Sequence, residues 1–145
     1  MYCSHPSSRF GARAPEPVRN AADALSLLSK AISHPLRDET IAFLLDDAGY
    51  GSTIFIVSGT DRPEQVLDVV EHLASAGRTS GLLSALVIAS VRPGGGIEPG
   101  DIDRWFDASE IAETHGVQLL EWFVYGADGF SCPRDLLGEA QRWPG

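Results

Sequence analysis

Residues Leu82 to Asp103 read LLSALVIASVRPGGGIEPGDID and carry the clearest structural signal in the chain. Its first eight residues, Leu82 to Ala89, are almost all apolar, which predicts a central β-strand covered on both faces. Arg92 to Gly100 holds two prolines and four glycines and cannot form regular structure. Asp101 then begins an amphipathic helix that is expected to run to about His115. A buried strand, a glycine-rich loop and a helix in succession are typical of an α/β protein.

The flanking sequence extends this pattern to nine elements. Upstream, hydrophobic periodicity and turn residues predict a helix, a β-hairpin and a second helix, and downstream they predict two strands and a short helix. The chain therefore indicates one α/β domain with a mixed β-sheet flanked by helices. The predicted ranges are, in order, helix 20–33, strands 40–45 and 53–57, helix 62–76, strand 82–89, helix 101–115, strands 117–125 and 130–132, and helix 134–142.

The 145 residues have room for one ordinary domain. Residues 1–19 contain three prolines among serine and arginine and are predicted to be a flexible N-terminal tail. Residues 20–35 are assigned to an N-terminal helix capped by Asn20. Residues 36–145 are assigned to the α/β domain itself.

Charge and cysteine content favour some classes of partner and compartment over others. Residues 1–37 carry five basic and two acidic side chains, whereas residues 38–145 carry six basic and eighteen acidic ones. A body this acidic repels the phosphate backbone, so direct binding of duplex nucleic acid is not expected. The two cysteines, Cys3 and Cys132, form no disulfide framework and fit a reducing cytoplasm. No apolar run approaches the length of a membrane span, and no secretory signal is expected.

The glycine-rich loop carries a motif. Ser90 to Asp103 reads SVRPGGGIEPGDID, and Pro93, Gly95, Pro99 and Asp103 fall at the spacing of a longer pattern, His-Asn-His-Pro-Ser-Gly-Asp-Pro-x-Pro-Ser-x-x-Asp. Downstream, residues 119–126 read LLEWFVYG and residues 128–131 read DGFS. With these segments the chain resembles the RadC-like branch of the JAB/MPN (JAMM) metalloprotease family over about residues 36–137. The resemblance implies a single JAB/MPN-like domain.

The same resemblance implies that the catalytic chemistry is lost. The family binds zinc through two histidines and one aspartate, with a glutamate on an upstream strand as general base. Here Ser90 and Arg92 stand at the two histidine positions, and Asp103 alone remains as a vestigial ligand. Asp38 or Glu39 would stand at the glutamate position. A guanidinium stays protonated and offers a metal no lone pair, so no zinc and no other cofactor is expected.

A vacated metal site would leave carboxylates without a cation. Arg92 carries a fixed charge and five donors to the same place. The sequence therefore predicts an internal ion pair between Arg92 and Asp103, or between Arg92 and the carboxylate at 38 or 39. The alternative is that Arg92 extends into solvent and Asp103 favours the helix N-terminus through the helix dipole.

Three functions follow from the resemblance. The favoured one is a non-catalytic domain that binds or scaffolds a partner protein. The second is a JAB-type hydrolase or isopeptidase that uses the residual groups Glu39, Ser90 and Asp103 or an altered metal site. The third is a DNA-repair-associated protein of the RadC type, although the charge balance argues against direct contact with duplex DNA. Gly94–Gly96 is interpreted as a plain flexible loop rather than a phosphate-binding loop, because it lacks a lysine and is surrounded by acidic residues.

Overall fold

A computed structural model of the chain describes residues 18–46, 51–80 and 84–143. Four helices and five strands follow one another in the predicted order, and the α/β class with a mixed sheet is confirmed. Their bounds are α1 Ala21–Ala31, β1 Glu39–Leu45, β2 Gly51–Ser58, α2 Gln65–Ser80, β3 Ala85–Val91, α3 Asp101–Thr114, β4 Gln118–Gly126, β5 Gly129–Ser131 and α4 Pro133–Leu137.

The strands form one sheet in the order β2-β1-β3-β4-β5. β1 pairs antiparallel with both β2 and β3, whereas β3 and β4 are parallel neighbours connected through α3. β4 and β5 are antiparallel. Because β3 is fully buried along its length, it is the central strand that its apolar sequence predicted.

Side chains alternate between two hydrophobic clusters, one on each face of the sheet. Ile41 and Phe43 of β1 join Leu28 of α1 on one face. Ala42, between them in sequence, joins Val70 of α2 and Trp105 of α3 on the other. The first face is called here the α1 face, and the second the α2/α3 face.

The N-terminal helix belongs to the domain core. Asn20 caps it as predicted, since its side-chain oxygen accepts a hydrogen bond from the amide of Asp23 at 2.9 Å. Val18, which the sequence prediction placed in the tail, is buried in the same cluster as Leu28. Residues 1–17 of the predicted tail lie outside the described residues.

Element boundaries differ from the prediction in two helices. α2 begins at Gln65, not Arg62, and the Gln65 side chain accepts a hydrogen bond at 2.8 Å from the Arg62 amide in the preceding turn. The helix also passes through the buried Gly77, where the sequence predicted its end. α4 covers five residues, because Gly138 in a left-handed conformation ends it early. Within the described residues, no helix is long and apolar enough to cross a membrane.

Candidate functional site

Arg92 lies where β3 ends and the glycine-rich loop begins. Its backbone amide donates to the carbonyl of Tyr125 at 2.8 Å, which prolongs the pairing of β3 with β4 by one residue. Its side chain is nine-tenths buried and lies over the ring of Trp122, with the guanidinium carbon 5.7 Å from the ring centroid. That distance is within the range of a cation–π contact. The loop and the sheet together therefore hold this guanidinium in one place.

The guanidinium binds Asp101, the first residue of α3. Nη1 lies 2.7 Å from Oδ2 and Nη2 lies 3.2 Å from Oδ1, so the contact is bidentate. The side chain of Asp101 is fully buried. Nη1 also donates to the carbonyl of Gly96 at 2.8 Å. Arg92 thus ties both the loop and the start of α3 to the end of β3.

Asp101 accepts two further hydrogen bonds. Arg104, one turn along α3, donates from Nη1 to Oδ1 at 2.6 Å, and the Glu98 amide donates to Oδ2 at 2.6 Å. Burial alone would raise the pKa of Asp101, but the hydrogen bonds from Arg92 and the Glu98 amide, with the positive charge of Arg92, hold it below its usual value. Two cations thus share one buried anion, and this three-residue cluster carries a net positive charge.

The Ser90 side chain is buried and hydrogen-bonded within the protein, so it is not exposed to a ligand. It is buried on the α2/α3 face, and its hydroxyl oxygen accepts a hydrogen bond from Nε1 of Trp122 at 2.9 Å. Its register partner on β1 is Thr40, whose hydroxyl pairs with that of Thr60 at 2.9 Å. The polar groups at this end of the strands therefore satisfy one another.

The predicted partner of Arg92 was wrong. Asp103 is exposed in the first turn of α3, and among the described residues it forms no ion pair. The helical repeat explains the difference, because Asp101 lies on the inward side of the helix with Trp105, whereas Asp103 projects outward. Arg92 does form an internal ion pair, but its acidic partner is Asp101, two residues before the predicted Asp103.

The two candidate residues at the start of β1, Asp38 and Glu39, do not join this site. Glu39 is buried and accepts hydrogen bonds from the amide and hydroxyl of Ser33 at 3.1 and 3.2 Å. It lies two residues before Ile41 on β1, so its side chain is on the same α1 face. Ser90 is on the opposite face. Asp38 precedes the strand, and its carbonyl accepts a hydrogen bond from the Gly59 amide at 2.9 Å. The predicted catalytic grouping of Glu39, Ser90 and Asp103 is therefore not assembled.

The glycine-rich loop is pinned rather than loose. The Gly95 amide donates to the carbonyl of Arg92 at 2.8 Å, and the Gly95 carbonyl accepts from the amide of Ala127 at 2.9 Å. The backbone of Gly95 passes so close to Gly126 that a Cβ on Gly126 would overlap it. The interpretation of Gly94–Gly96 as a plain flexible loop is corrected by these contacts.

A second buried ion pair lies beside β4, and sequence reasoning did not identify it. Nε of Arg134 donates to Oε2 of Glu121 at 2.9 Å, and both side chains are at most 5% exposed. Burial raises the pKa of Glu121, an effect that the charge and hydrogen bond of Arg134 only partly oppose. Arg134 also donates to the carbonyl of Glu139 at 2.7 Å. The one available signal was an acidic residue inside a strand that is otherwise apolar.

The C-terminal segment continues this network onto α3. Nε1 of Trp105 donates to Oε1 of Glu139 at 3.0 Å, and the guanidinium of Arg142 lies 4.3 Å from the Trp105 ring centroid. Arg142 also donates to the hydroxyl of Ser109 and to the carbonyl of Leu119, both at 3.0 Å. Residues 133–143 therefore fasten β4 to α3.

Metal-binding side chains are not gathered anywhere in the part of the chain that the structure describes. Across residues 18–46, 51–80 and 84–143, no three or more histidine, cysteine, aspartate or glutamate side chains are placed to hold one ion. His115 ends α3, where its Nε2 lies 2.9 Å from Oε2 of Glu71 on α2.

The sequence matches no protein-family model and no curated protein to a significant degree.

Proposed function

We propose that the chain is a non-catalytic domain of the RadC/JAB-like type that acts as a protein-binding or scaffolding module. The observation that carries the proposal is the bidentate pair between Arg92 and the fully buried Asp101. Arg92 stands at a position where the resemblance expects a zinc-binding histidine. A fixed cation there opposes a metal ion by charge and offers it no lone pair.

The neighbouring groups support the same conclusion. The Ser90 hydroxyl, at the other histidine position, accepts the indole hydrogen bond of Trp122 inside the core. Glu39, one of the two residues that could stand at the general-base position, faces the opposite side of the sheet and binds Ser33. A general base must lie within hydrogen-bonding reach of the proton that it removes, directly or through one water. These side chains stabilise the fold instead of meeting around a substrate.

Zinc affinity of the purified full-length protein tests the proposal. Isothermal titration with zinc, and elemental analysis of protein made without a metal-binding tag, should find no tight equimolar complex. Incubation with a ubiquitin-like isopeptide substrate should give no cleavage above the rate without protein. The matched variant Asp103→Asn should behave like the wild type in each assay. A tight one-to-one zinc complex that Asp103→Asn abolishes would instead establish the hydrolase alternative.

A rebuilt site tests the family resemblance itself. Ser90→His with Arg92→His places two imidazoles where the family has them, on the same face of the sheet as α3. The resemblance predicts that this double variant gains zinc binding. Circular dichroism of each variant must first establish that it is folded, because Arg92→His breaks the pair with Asp101. A folded double variant without any gain in zinc affinity contradicts the resemblance.

A further inference from the structure

β2 forms one edge of the sheet. It pairs with β1 along its inner side, from Gly51 to Ser58, and no other strand among the described residues pairs with its outer side. The opposite edge, β5, has three residues, whereas β2 has eight. A long edge strand presents a row of backbone amides and carbonyls on which another strand can pair.

The sequence of β2 lacks the features that normally protect an edge. Residues 51–58 read GSTIFIVS, with no charged residue and no proline. Natural edge strands are commonly short, or carry lysine, proline or a bulge in the middle. Here the register with β1 is continuous from Ser58 to Thr53 and shifts only at the hairpin end. The central part of the edge is therefore regular and available for pairing.

The side chains of β2 offer apolar contact on both sides of an added strand. Ile56 packs against the cluster of the α1 face, and Phe55 and Val57 pack against that of the α2/α3 face. All three are only partly buried. A strand laid beside β2 would alternate its own side chains above and below the sheet and cover these three.

Charge around the hairpin indicates what kind of strand would pair. Residues 38–61 contain five acidic residues and no lysine or arginine. Four of them lie before, between and after the two strands in sequence, namely Asp38, Asp46, Asp47 and Asp61, whereas Glu39 is buried at the start of β1. Asp61, just beyond β2, is exposed. A partner strand with basic residues at its ends would complement these charges. A second copy of this chain would bring the same acidic ends together, and each copy carries a net charge of -9.

We infer that the outer edge of β2 is a binding site for an extended segment of a partner protein, with an apolar, β-branched centre and lysine or arginine at its ends. The segment adds a sixth strand to the sheet by β-augmentation. Backbone hydrogen bonds hold it, Phe55, Ile56 and Val57 contact its centre, and the acidic ends of the hairpin set its preference for a basic partner. This inference rests on the proposed role as a protein-binding module and assigns that role a surface.

A pair of synthetic peptides tests the inference on the full-length protein. Each is seven residues long and alternates valine and threonine, and one has lysine while the other has glutamate at both ends. We expect the lysine peptide to bind at least about tenfold more tightly at low salt, and the difference to shrink as salt is added. Hydrogen exchange measured by NMR should show new protection of β2 amides, with β5 amides unchanged.

Two matched variants locate the charge effect. Ser58 is exposed at the end of β2, so Ser58→Lys and Ser58→Glu leave the core intact. Ser58→Lys should weaken binding of the lysine peptide, and Ser58→Glu should strengthen it. Equal affinity for both peptides, or protection of amides away from β2, contradicts the inference.

Sedimentation of the protein alone tests whether a second copy of the chain, instead of a partner segment, binds the edge of β2. A dimer at micromolar concentration with protected β2 amides would show that a second copy fills this edge, and the inference would be wrong. Tight zinc binding with hydrolysis would overturn the proposed function but leave the peptide result standing. Absence of peptide binding would overturn only the edge assignment, because a binding module can use another surface.

Discussion

Arg92 and Asp101 face each other across the base of the glycine-rich loop, with Nη1 of the guanidinium 2.7 Å from Oδ2 of the carboxylate. The eight residues between them leave the end of β3 and return to the start of α3, so the pair closes the loop on itself. Both side chains are almost entirely removed from solvent. The pair therefore fixes the geometry of the strand–loop–helix unit on which the fold depends.

The first prediction is a strong energetic coupling between these two residues. Asp101→Ala should destabilise the protein by roughly 3–5 kcal/mol, because it leaves the buried guanidinium of Arg92 without its carboxylate. Arg92→Ala should destabilise it by less, because Arg104 still pairs with Asp101. The double variant should lose far less than the sum of the two single losses. Unfolding in urea, monitored by tryptophan fluorescence, gives all three free energies of unfolding.

Asp103 provides the matched control for this cycle. It lies on the same helical turn as Asp101 but is exposed, so Asp103→Ala should change the free energy of unfolding by less than about 1 kcal/mol. Its effect should add to that of Arg92→Ala. Coupling of Arg92 to Asp103 instead of Asp101 would contradict the pairing described here.

The second prediction concerns acid. The pKa of Asp101 is lower in the folded protein than in the unfolded chain, so its ionisation stabilises the fold above the unfolded pKa of about 4. This contribution is lost as the pH falls through the lower, folded pKa. The stability difference between wild type and Asp101→Asn should therefore be constant from about pH 5 to pH 7 and shrink below about pH 4. Urea titrations at each pH measure it, and a difference that does not vary with pH contradicts the assignment.

The order of the elements was predictable because it depends on local signals. The apolar run before Arg92, the glycines and prolines after it, and the cap at Asn20 each act over a few residues. These signals placed all nine elements in the correct order. Helix ends were less accurate, because α2 continues through Gly77, although glycine is the residue type that most often ends a helix.

The candidate site was predicted less well, because it depends on which side chains face inward. Sequence spacing put Arg92 near two aspartates but did not reveal that Asp101 is the buried one. Likewise, Glu39 and Ser90 lie on opposite faces of the sheet, because side chains alternate along β1 and Glu39 is on the face that α1 covers. The sequence alone does not tell which face α1 covers. The Glu121–Arg134 pair joins a strand to the segment after the next strand, a contact for which the sequence has no periodic signal.

The third prediction is that Gly126 tolerates no side chain. A Cβ at this position would overlap the carbonyl of Gly95, a backbone group whose oxygen accepts a hydrogen bond from the Ala127 amide. Gly126→Ala should therefore destabilise the protein by roughly 1–3 kcal/mol or more through overpacking. Gly96→Ala is the matched control in the same loop, since a Cβ there meets nothing within 4 Å. Thermal unfolding should give a clearly lower Tm for Gly126→Ala alone, and equal values would argue against the close approach.

The fourth prediction separates two ways in which Arg134 can stabilise the fold: its ion pair with Glu121 and its hydrogen bond to the carbonyl of Glu139. Arg134→Met leaves the buried carboxylate of Glu121 unpaired and should cost roughly 3–5 kcal/mol. Adding Glu121→Leu removes that carboxylate, so the double variant should recover much of the loss despite lacking two charged groups. Urea unfolding of both variants compares the two values. A double variant as unstable as Arg134→Met would mean that the hydrogen bond of Arg134 to Glu139, not its pairing with Glu121, stabilises this region.

The fifth prediction concerns the thiol of Cys132. Burial, followed by the nearby negative charges of Glu121 and Asp135, raises the pKa of this thiol to about 12. The thiolate is the reactive form, so its population near pH 8 should be about a thousandfold below that of a solvent-exposed cysteine. In a Cys3→Ser variant, which removes the other thiol, labelling with a disulfide reagent should be negligible in buffer and complete in concentrated urea. Rapid labelling of the folded variant would show that Cys132 is reached by solvent, and would contradict its burial in the cluster of the α1 face.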